Sequence, residues 1–155
     1  MRLPRKTLTD QELIQYATQI KIPDFRAVCM RDELEVIRPP RDRECGILNF
    51  QTHLQKGSHW TCWLKNGKER YYFDSYGEPP PHELIVYLKT RKEHNLPVIK
   101  RSAVTVQTDG SSECGALCLY VLKKLSQGIQ FSDVLEELVK RYESSNPSSG
   151  LFIKT

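Results

Sequence analysis

A histidine and an aspartate of this sequence are predicted to face each other across a β-hairpin. Two aromatic-rich runs, 59–65 and 68–74, are separated by Asn66-Gly67, a pair that favours a two-residue hairpin turn. With this pair at the centre of the turn, His59 lies opposite Asp74, and facing residues have Cβ atoms about 4.5 to 5.5 Å apart. A carboxylate at that distance can hydrogen-bond the imidazole, fix its tautomer and favour the imidazolium. The pair would supply the base and the orienting acid of a nucleophilic site.

The alternative is a structural histidine that is paired with an acid at a strand end. A turn of a different type would also shift the register and break the pairing. The other face of the same hairpin carries Trp60, Cys62, Tyr71 and Phe73, and we predict that this is the packed face.

Cys114 is the candidate nucleophile. It follows a loop of glycine and helix-capping residues, 109–112, and begins an apolar-faced helix. Its sulfur is therefore expected near the first turn, where unpaired backbone N–H groups and the positive end of the helix dipole favour a thiolate. Cys118, one turn later, is expected to point into the core. By the general tendency of free cysteines to be buried, Cys114 would be structural as well.

A glutamine before the same loop could complete such a site. Gln107 stands at the end of a strand-like run, 103–106, and shortly before the Cys114 helix. Its amide N–H and the backbone N–H of Cys114 are candidate donors to an oxyanion. The alternative is a solvated residue at a strand end.

Length and composition bound the class of protein. The 155 residues, 39% of them apolar and 27% charged, suit one domain with one core and exclude a disordered chain. The longest uncharged apolar stretch, 115–122, is far shorter than the ~20 residues of a membrane span, and no secretory signal peptide is recognisable. Five cysteines suit free thiols in a reducing, intracellular compartment. The net charge of +4, with basic clusters at 1–6 and 89–92, permits weak DNA binding without identifying it.

Apolar periodicity and chain breakers predict an α+β domain over residues 1–142. A capping box from Thr9 to Glu12 opens a first helix that ends before Pro23. The further predicted helices cover 82–92, 114–126 and 132–142, and the predicted strands cover 45–50, both arms of the hairpin and 103–106. Residues 23–40 are interpreted as mostly loop, and the Ser- and Asn-rich tail 143–155 as mobile.

The ordered set of histidine, acid, glutamine and Cys-Gly resembles that of a known protease family. The segments concerned are Gly-Ser-His-Trp at 57–60, Tyr-Phe-Asp-Ser-Tyr-Gly at 72–77, Val-Gln at 106–107 and Cys-Gly-Ala-Leu-Cys at 114–118. They are similar in order and spacing to the adenovirus protease (adenain) and to proteases of adenovirus-like viruses and Maverick/Polinton elements. SUMO-specific proteases are more distant members of the same clan. Each segment alone is weak evidence for this family, but the four segments in this order are specific to it.

The resemblance implies a papain-like cysteine protease core, with the nucleophile helix packed on a small mixed or antiparallel sheet. The roles it implies are a general base at His59, an orienting acid at Asp74, a nucleophile at Cys114 and an oxyanion donor at Gln107. It would make this protein a monomeric cysteine endopeptidase that cleaves viral or element-encoded precursor proteins at glycine-containing sites, in the host nucleus or the virion. No metal, cofactor or membrane is needed for that chemistry.

The same resemblance implies two substrate-binding residues. Trp60, which follows the histidine as in the family, would form a wall of the site, although a core aromatic is the simpler interpretation. Residues 45–49 resemble the strand that precedes the histidine segment, so Asn49 would orient the site. A strand-end asparagine without a role in binding is the alternative.

Two departures limit the resemblance. The acid is Asp74, where the adenoviral enzymes usually have glutamate. Those enzymes are activated by DNA and by a peptide tethered through a disulfide to a cysteine upstream of the nucleophile. No cysteine lies between Cys62 and Cys114, so the tether is absent here, whereas activation by DNA stays compatible with the basic charge.

Two other functions remain open from the sequence. The same site would serve a ubiquitin- or SUMO-directed isopeptidase or an acyltransferase, because the clan contains both. A non-catalytic zinc- or nucleic-acid-binding module would use Cys114, Cys118 and His59. The spacing of the two cysteines is a poor match to a zinc knuckle, and no second compact Cys/His pair exists, so we expect no metal site.

Overall fold

A mixed five-stranded sheet forms the centre of the computed structural model, which describes residues 1–51, 59–108, 110–144 and 150–154. The strands lie side by side in chain order: β1 (Phe25–Met30), β2 (Arg43–Asn49), β3 (Trp60–Asn66), β4 (Glu69–Phe73) and β5 (Lys100–Arg101). The central three are antiparallel, and each edge strand is parallel to its neighbour. The helices are α1 (Asp10–Gln19), α2 (Leu34–Ile37), α3 (His82–Leu88), α4 (Cys114–Ser126) and α5 (Phe131–Ser144). The predicted α+β class is confirmed.

An apolar core covers each face of the sheet. Trp60, Cys62 and Phe73 belong to the larger core, which α1 and α4 complete, and this confirms the predicted packed face. Trp63 and Tyr72 point the other way, into a smaller core that α2 and α3 cover. Because successive side chains of a strand point to opposite faces, a run of buried residues such as β3 needs a cover on both sides.

The central helix, α4, lies on β3 and places its first residue at the edge of the larger core. Every residue from 114 to 122 is buried, which explains why its sequence is apolar around most of the helix. The helix ends as predicted before Gly128, whose φ is +85°. No helix in the described ranges has both the length and the apolar character that a membrane crossing needs.

The hairpin turn lies one residue later than predicted. Gly67 and Lys68 occupy its centre, and Asn66 faces Glu69. Gly67 has a φ of +62°, whereas Lys68 is not among the residues with positive φ. This pattern is typical of a type II′ turn, which takes glycine at its first central position, and not of the type I′ turn that Asn-Gly favours. The predicted register was therefore wrong.

Two loop and strand predictions were also wrong. Residues 23–40 contain β1, a 3-10 turn (Arg31–Glu33) and α2, because β1 pairs with β2 and Leu34 of α2 enters the smaller core. The run 103–106 is not a strand, and the ladder to β4 is limited to Lys100–Arg101. Beyond that point the chain bends against the turn that follows β4, as the hydrogen bond from the Val106 N–H to the Ser75 carbonyl shows at 2.8 Å.

The last described residues pack against the first. The Leu3 N–H donates to the Leu151 carbonyl at 2.8 Å, and the side chains of Leu151 and Ile153 are buried in the larger core. The sequence predicts a mobile tail over 143–155. Residues 150–154 differ from that prediction because two apolar side chains, alternating with polar or exposed ones, find a place in the core.

Candidate active site

His59 and Asp74 meet at the open end of the β3–β4 hairpin, where Nε2 of the histidine lies 2.8 Å from Oδ1 of the aspartate. The observed register sets Cys62 opposite Phe73, which makes His59 and Asp74 diagonal neighbours instead of facing ones. A shift by two positions keeps both side chains on one face, and diagonal neighbours stay within reach of a long or aromatic side chain. The predicted contact is therefore present although the register behind it was wrong.

The Asp74 carboxylate is buried and held by its neighbours. Its Oδ1 also accepts a hydrogen bond from the Tyr76 N–H at 2.9 Å. Its backbone N–H donates to Ser102 Oγ at 3.1 Å, and the Ser102 hydroxyl donates back to the Asp74 carbonyl at 3.1 Å. The Tyr76 ring lies against the imidazole of His59, with ring centroids 5.1 Å apart. These contacts fix both members of the pair.

A glycine closes the turn that aims the carboxylate. The Gly77 N–H donates to the Asp74 carbonyl at 2.8 Å, and Gly77 has a φ of +74°. A Cβ atom at this position would lie 2.8 Å from the backbone nitrogen of Val104. Only glycine fits both the conformation and the close approach.

The charge state of His59 is set by opposing effects. Burial lowers the pKa of His59, but hydrogen bonds and charges from Asp74 and Cys114 outweigh burial and raise the pKa to about 9. Since Nε2 is bound to Asp74, Nδ1 is left for the hydrogen bond with the Cys114 side chain. The imidazole is thus placed between a carboxylate and a thiol, and it is protonated at neutral pH.

Cys114 is the first residue of α4, and the residue is 5% exposed. Its Sγ lies 3.5 Å from the backbone nitrogen of Trp60, which donates to it. No side chain caps the helix, because Glu113 at the N-cap position turns instead to Arg5 at 3.2 Å and Arg141 at 2.9 Å. The positive end of the helix dipole therefore faces the sulfur.

Three other cysteines have surroundings that suppress reactivity. Burial raises the pKa of Cys29 to about 12, and burial also raises the pKa of Cys45 and of Cys118 well above the usual range. Cys118 points into the core as predicted, where its carbonyl accepts a hydrogen bond from Cys62 Sγ at 3.9 Å. A buried thiol that stays protonated is inert. Within the described ranges, no group of three or more His, Cys, Asp or Glu side chains is placed to hold a metal ion.

The Gln107 side chain is buried, so the interpretation as a solvated residue is wrong. Its Oε1 accepts from the Ser75 hydroxyl at 2.5 Å, and its Nε2 donates to the Ser111 carbonyl at 2.9 Å. These two bonds fix which way the amide points, because the Ser111 carbonyl can only accept. An amide nitrogen carries two protons, and the Ser111 carbonyl takes one of them.

Trp60 and Asn49 line one cavity of about 330 Å³. Trp60 donates from Nε1 to the Leu8 carbonyl at 2.9 Å, so its ring is a member of the core as well as a wall of that cavity. Asn49 is buried, and its Oδ1 accepts from the Gln51 N–H at 3.0 Å. The roles of both residues in binding substrate stay predictions.

Three residues that support the site were missed from the sequence. Ser75 and Tyr76 follow Asp74 directly, within the segment that carried the family resemblance, and that adjacency was the available indication. Ser102 is 28 residues away in the chain from the aspartate that it holds. No local pattern indicates such a contact.

The fold is that of the papain-like cysteine proteases, in which a helix bearing a cysteine at its N-terminus packs on a sheet that carries the histidine and the acid. Solved structures of the pS273R protease of African swine fever virus (ASFV) resemble this chain. One has a TM-score of 0.55 at 17% identity and covers 97% of this chain and 68% of that protease. Its selenomethionine form has a TM-score of 0.58 at 17% identity, with 97% and 69% covered.

No model of a protein family matches the sequence, and no curated protein sequence matches it either. At 17% identity, the likeness to the viral protease shows the fold. The closer relationship to the adenovirus protease and to Maverick/Polinton elements stays a prediction from the sequence.

Proposed function

We propose that this protein is a cysteine endopeptidase in which Cys114 is the nucleophile, His59 the general base and Asp74 the orienting acid. The observation that carries the proposal is the hydrogen-bonded series from Asp74 through His59 to the cysteine at the start of α4. This is the nucleophile, base and orienter arrangement of covalent catalysis. The fold shared with a viral protease supports it.

In the proposed acylation, His59 already holds the proton as an imidazolium, and Cys114 attacks the scissile carbonyl carbon as a thiolate. The carbonyl oxygen becomes an oxyanion, which the second Nε2 proton of Gln107 and the backbone N–H groups at the start of α4 stabilise. The imidazolium gives its proton to the leaving amine as the C–N bond breaks. An acyl thioester on Cys114 remains.

In the proposed deacylation, a water molecule gives a proton to neutral His59 and attacks the thioester carbon. The same donors stabilise the second oxyanion. The C–S bond then breaks, the carboxylic acid leaves, and the sulfur departs as a thiolate while His59 keeps the proton. Asp74 keeps the imidazole in one orientation and tautomer throughout.

We propose that the substrates have small residues, glycine in particular, at the cut. The sulfur belongs to a residue that is only 5% exposed, and it lies against the backbone of Trp60, so a substrate must bring a narrow segment close to it. Viral or element-encoded precursor proteins, cleaved in the nucleus or the virion, are the proposed targets on the strength of the family resemblance. Stimulation by DNA belongs to the same proposal.

Site-resolved alkylation tests the proposed nucleophile. Wild-type protein is treated with iodoacetamide across a pH series, and labelling at each cysteine is measured by mass spectrometry. Free cysteine ionises near pH ~8.5, so fast labelling of Cys114 well below that pH is expected, together with its loss in His59→Ala. His94→Ala, which removes an exposed histidine, is the matched control and should label as the wild type does.

Peptide cleavage then tests the reaction itself. A fluorogenic peptide with glycine at the cut should be hydrolysed, whereas the same peptide with leucine there should not. Labelling of Cys114 no faster than that of Cys62 would refute the proposed nucleophile. If the protein instead cleaves only a diglycine-linked ubiquitin or SUMO reporter, its function is that of an isopeptidase and not of an endopeptidase.

A further inference from the structure

A large cavity lies at the closed end of the β3–β4 hairpin, away from the candidate active site. Its volume is about 810 Å³, and it is lined by the hairpin turn, the Arg38–Asp42 region and the chain after α3. Lys65, which lines the cavity, is six residues along the extended chain from His59, a distance of roughly 20 Å at 3.3 Å per residue. None of the residues proposed for catalysis lines it.

The cavity wall is strongly basic. Arg70 is buried and already satisfied, since it forms an ion pair with Glu93 and donates to the carbonyls of Leu88 at 3.0 Å and Lys68 at 3.1 Å. The only other carboxylate in the wall is that of Asp42. The remaining cations that line the cavity are Arg38, Lys65, Lys68, Lys89, Arg91 and Lys92. They include the basic run 89–92, for which the proposed proteolysis has no use.

Lys65 distinguishes this wall from an ordinary solvated surface. The residue is 3% exposed, and its Nζ donates to the Asp42 carbonyl at 3.3 Å. In the part of the chain that the structure describes, Lys65 is in no ion pair. An ammonium group has three donors, and a desolvated cation is costly unless an anion accompanies it. Glu44 faces Lys65 across the β2–β3 pair but is bound by Trp63 and Tyr87, so an anion in the cavity would add an acceptor for the remaining Lys65 donors.

We propose that this cavity binds a compact oligophosphate, an anion that carries several phosphate groups. The cavity volume lies within the range of about 300 to 1,000 Å³ that is usual for small-molecule sites. This volume is larger than a single phosphate ion needs. Several separate cations around one concave wall suit several phosphate groups on one ligand.

A nucleic acid fits this cavity less well. Single-stranded binding sites combine basic residues with aromatic rings on which bases stack. The only aromatic residue in the wall is Tyr87, which is 1% exposed and donates its hydroxyl to Glu44 at 2.8 Å. No ring is therefore offered to a base, and a compact ligand remains the better fit.

Calorimetric titration of the full chain with inorganic tripolyphosphate tests the proposal. We expect one saturable site, with affinity that falls as salt is raised, and a matching rise of the unfolding temperature. Lys65→Met, which keeps the buried chain length without the charge, should weaken binding at least about tenfold. Lys140→Met is its matched control, because Lys140 is an exposed lysine of α5 outside the cavity, and it should bind as the wild type does.

A second pair of variants keeps the test valid if Lys65→Met fails to fold. Arg91→Ala with Lys92→Ala removes two exposed cations of the rim and should also weaken binding about tenfold. The control variant, Lys123→Ala with Lys124→Ala, removes an adjacent basic pair of α4 that does not line this cavity. It should bind tripolyphosphate as the wild type does. Equal weakening in both double variants, or no saturable binding, would overturn the proposal. The proposal would also be overturned if a short DNA duplex bound more tightly than tripolyphosphate, with the same dependence on Arg91 and Lys92.

Discussion

At the scale of single residues, the charge on His59 depends on two neighbours of different kinds. Asp74 is a buried carboxylate whose orientation is fixed by Ser102 and by the Tyr76 N–H. Cys114 is a thiol at a helix terminus. Because both stabilise the imidazolium, the folded chain holds a proton on His59 that the unfolded chain loses near pH 6.5.

This proton makes stability depend on pH. Between pH 6.5 and about 9, the folded state binds more protons than the unfolded state, so the free energy of unfolding falls as pH rises. The stabilisation is complete below pH 6.5 and is lost as the pH rises through about 9. Asp74→Asn should flatten this slope, because it removes the carboxylate charge. Urea unfolding at several pH values measures this slope for the wild type and for the variant.

The control for that measurement is Asp133→Asn, which removes an exposed carboxylate at the start of α5. It should leave the slope as in the wild type. If Asp74→Asn and the wild type lose stability in parallel from pH 6.5 to 9, then Asp74 does not hold the proton on His59.

Gln107 offers a prediction that separates chemistry from packing. Removing one donor to an oxyanion costs about 10²- to 10³-fold in kcat, so Gln107→Ala should lower peptide hydrolysis by that factor. Alkylation of Cys114 should continue at its wild-type rate, because alkylation forms no oxyanion. Ser75→Ala, which removes the bond to Oε1 and keeps the amide, should have a smaller effect. Loss of alkylation in Gln107→Ala would mean that the glutamine only supports the fold.

At the scale of elements, local patterns predicted what local interactions decide. The capping box is present, with the Glu12 N–H donating to Thr9 Oγ at 3.1 Å and the Thr9 N–H to Glu12 Oε1 at 3.1 Å. The helix of Cys114 begins and ends where its sequence indicates. In both cases the deciding contacts lie within a few residues of each other.

Elements that depend on distant partners were predicted less well. The run of β1 is apolar except for Arg26 and has no alternation of apolar and polar residues, and it is a strand because β2 lies beside it. The register of the hairpin depends on whether Asn66 or Lys68 joins Gly67 in the turn. The pairing along both whole strands decides between the two, and not the turn residues by themselves. The contact between His59 and Asp74 was predicted because either choice puts both residues on the same face.

Gly77 lets the turn after β4 be tested directly. Gly77→Ala adds the strain of a left-handed residue, about 1 to 2 kcal/mol, and a clash with the backbone of Val104. Gly128→Ala has the same strain with open space around the new Cβ. Urea unfolding should therefore show a larger loss of stability for Gly77→Ala. Equal losses would mean that the Val104 segment moves aside without cost.

At the scale of the whole molecule, the two ends of the chain complete one core. Met1 donates from its terminal ammonium to the Ile153 carbonyl at 2.6 Å, and the Ile153 N–H donates to the Met1 carbonyl at 2.8 Å. Glu113, the residue before Cys114, is bound by Arg5 of the N-terminal segment and by Arg141 of α5. The N-terminal segment and α5 thus support the helix that carries the candidate nucleophile.

The C-terminal segment was expected to be mobile because it is rich in Ser and Asn and contains Pro147 and Gly150. Ile153→Ala tests whether it belongs to the core. The side chain is 2% exposed, so truncation should cost about 2 to 5 kcal/mol of unfolding free energy. Phe152→Ala is the matched control, since Phe152 is 60% exposed and the Arg2 guanidinium lies over its ring, and it should cost less than about 1 kcal/mol. If urea unfolding shows equally small losses for both, the segment leaves the core in solution.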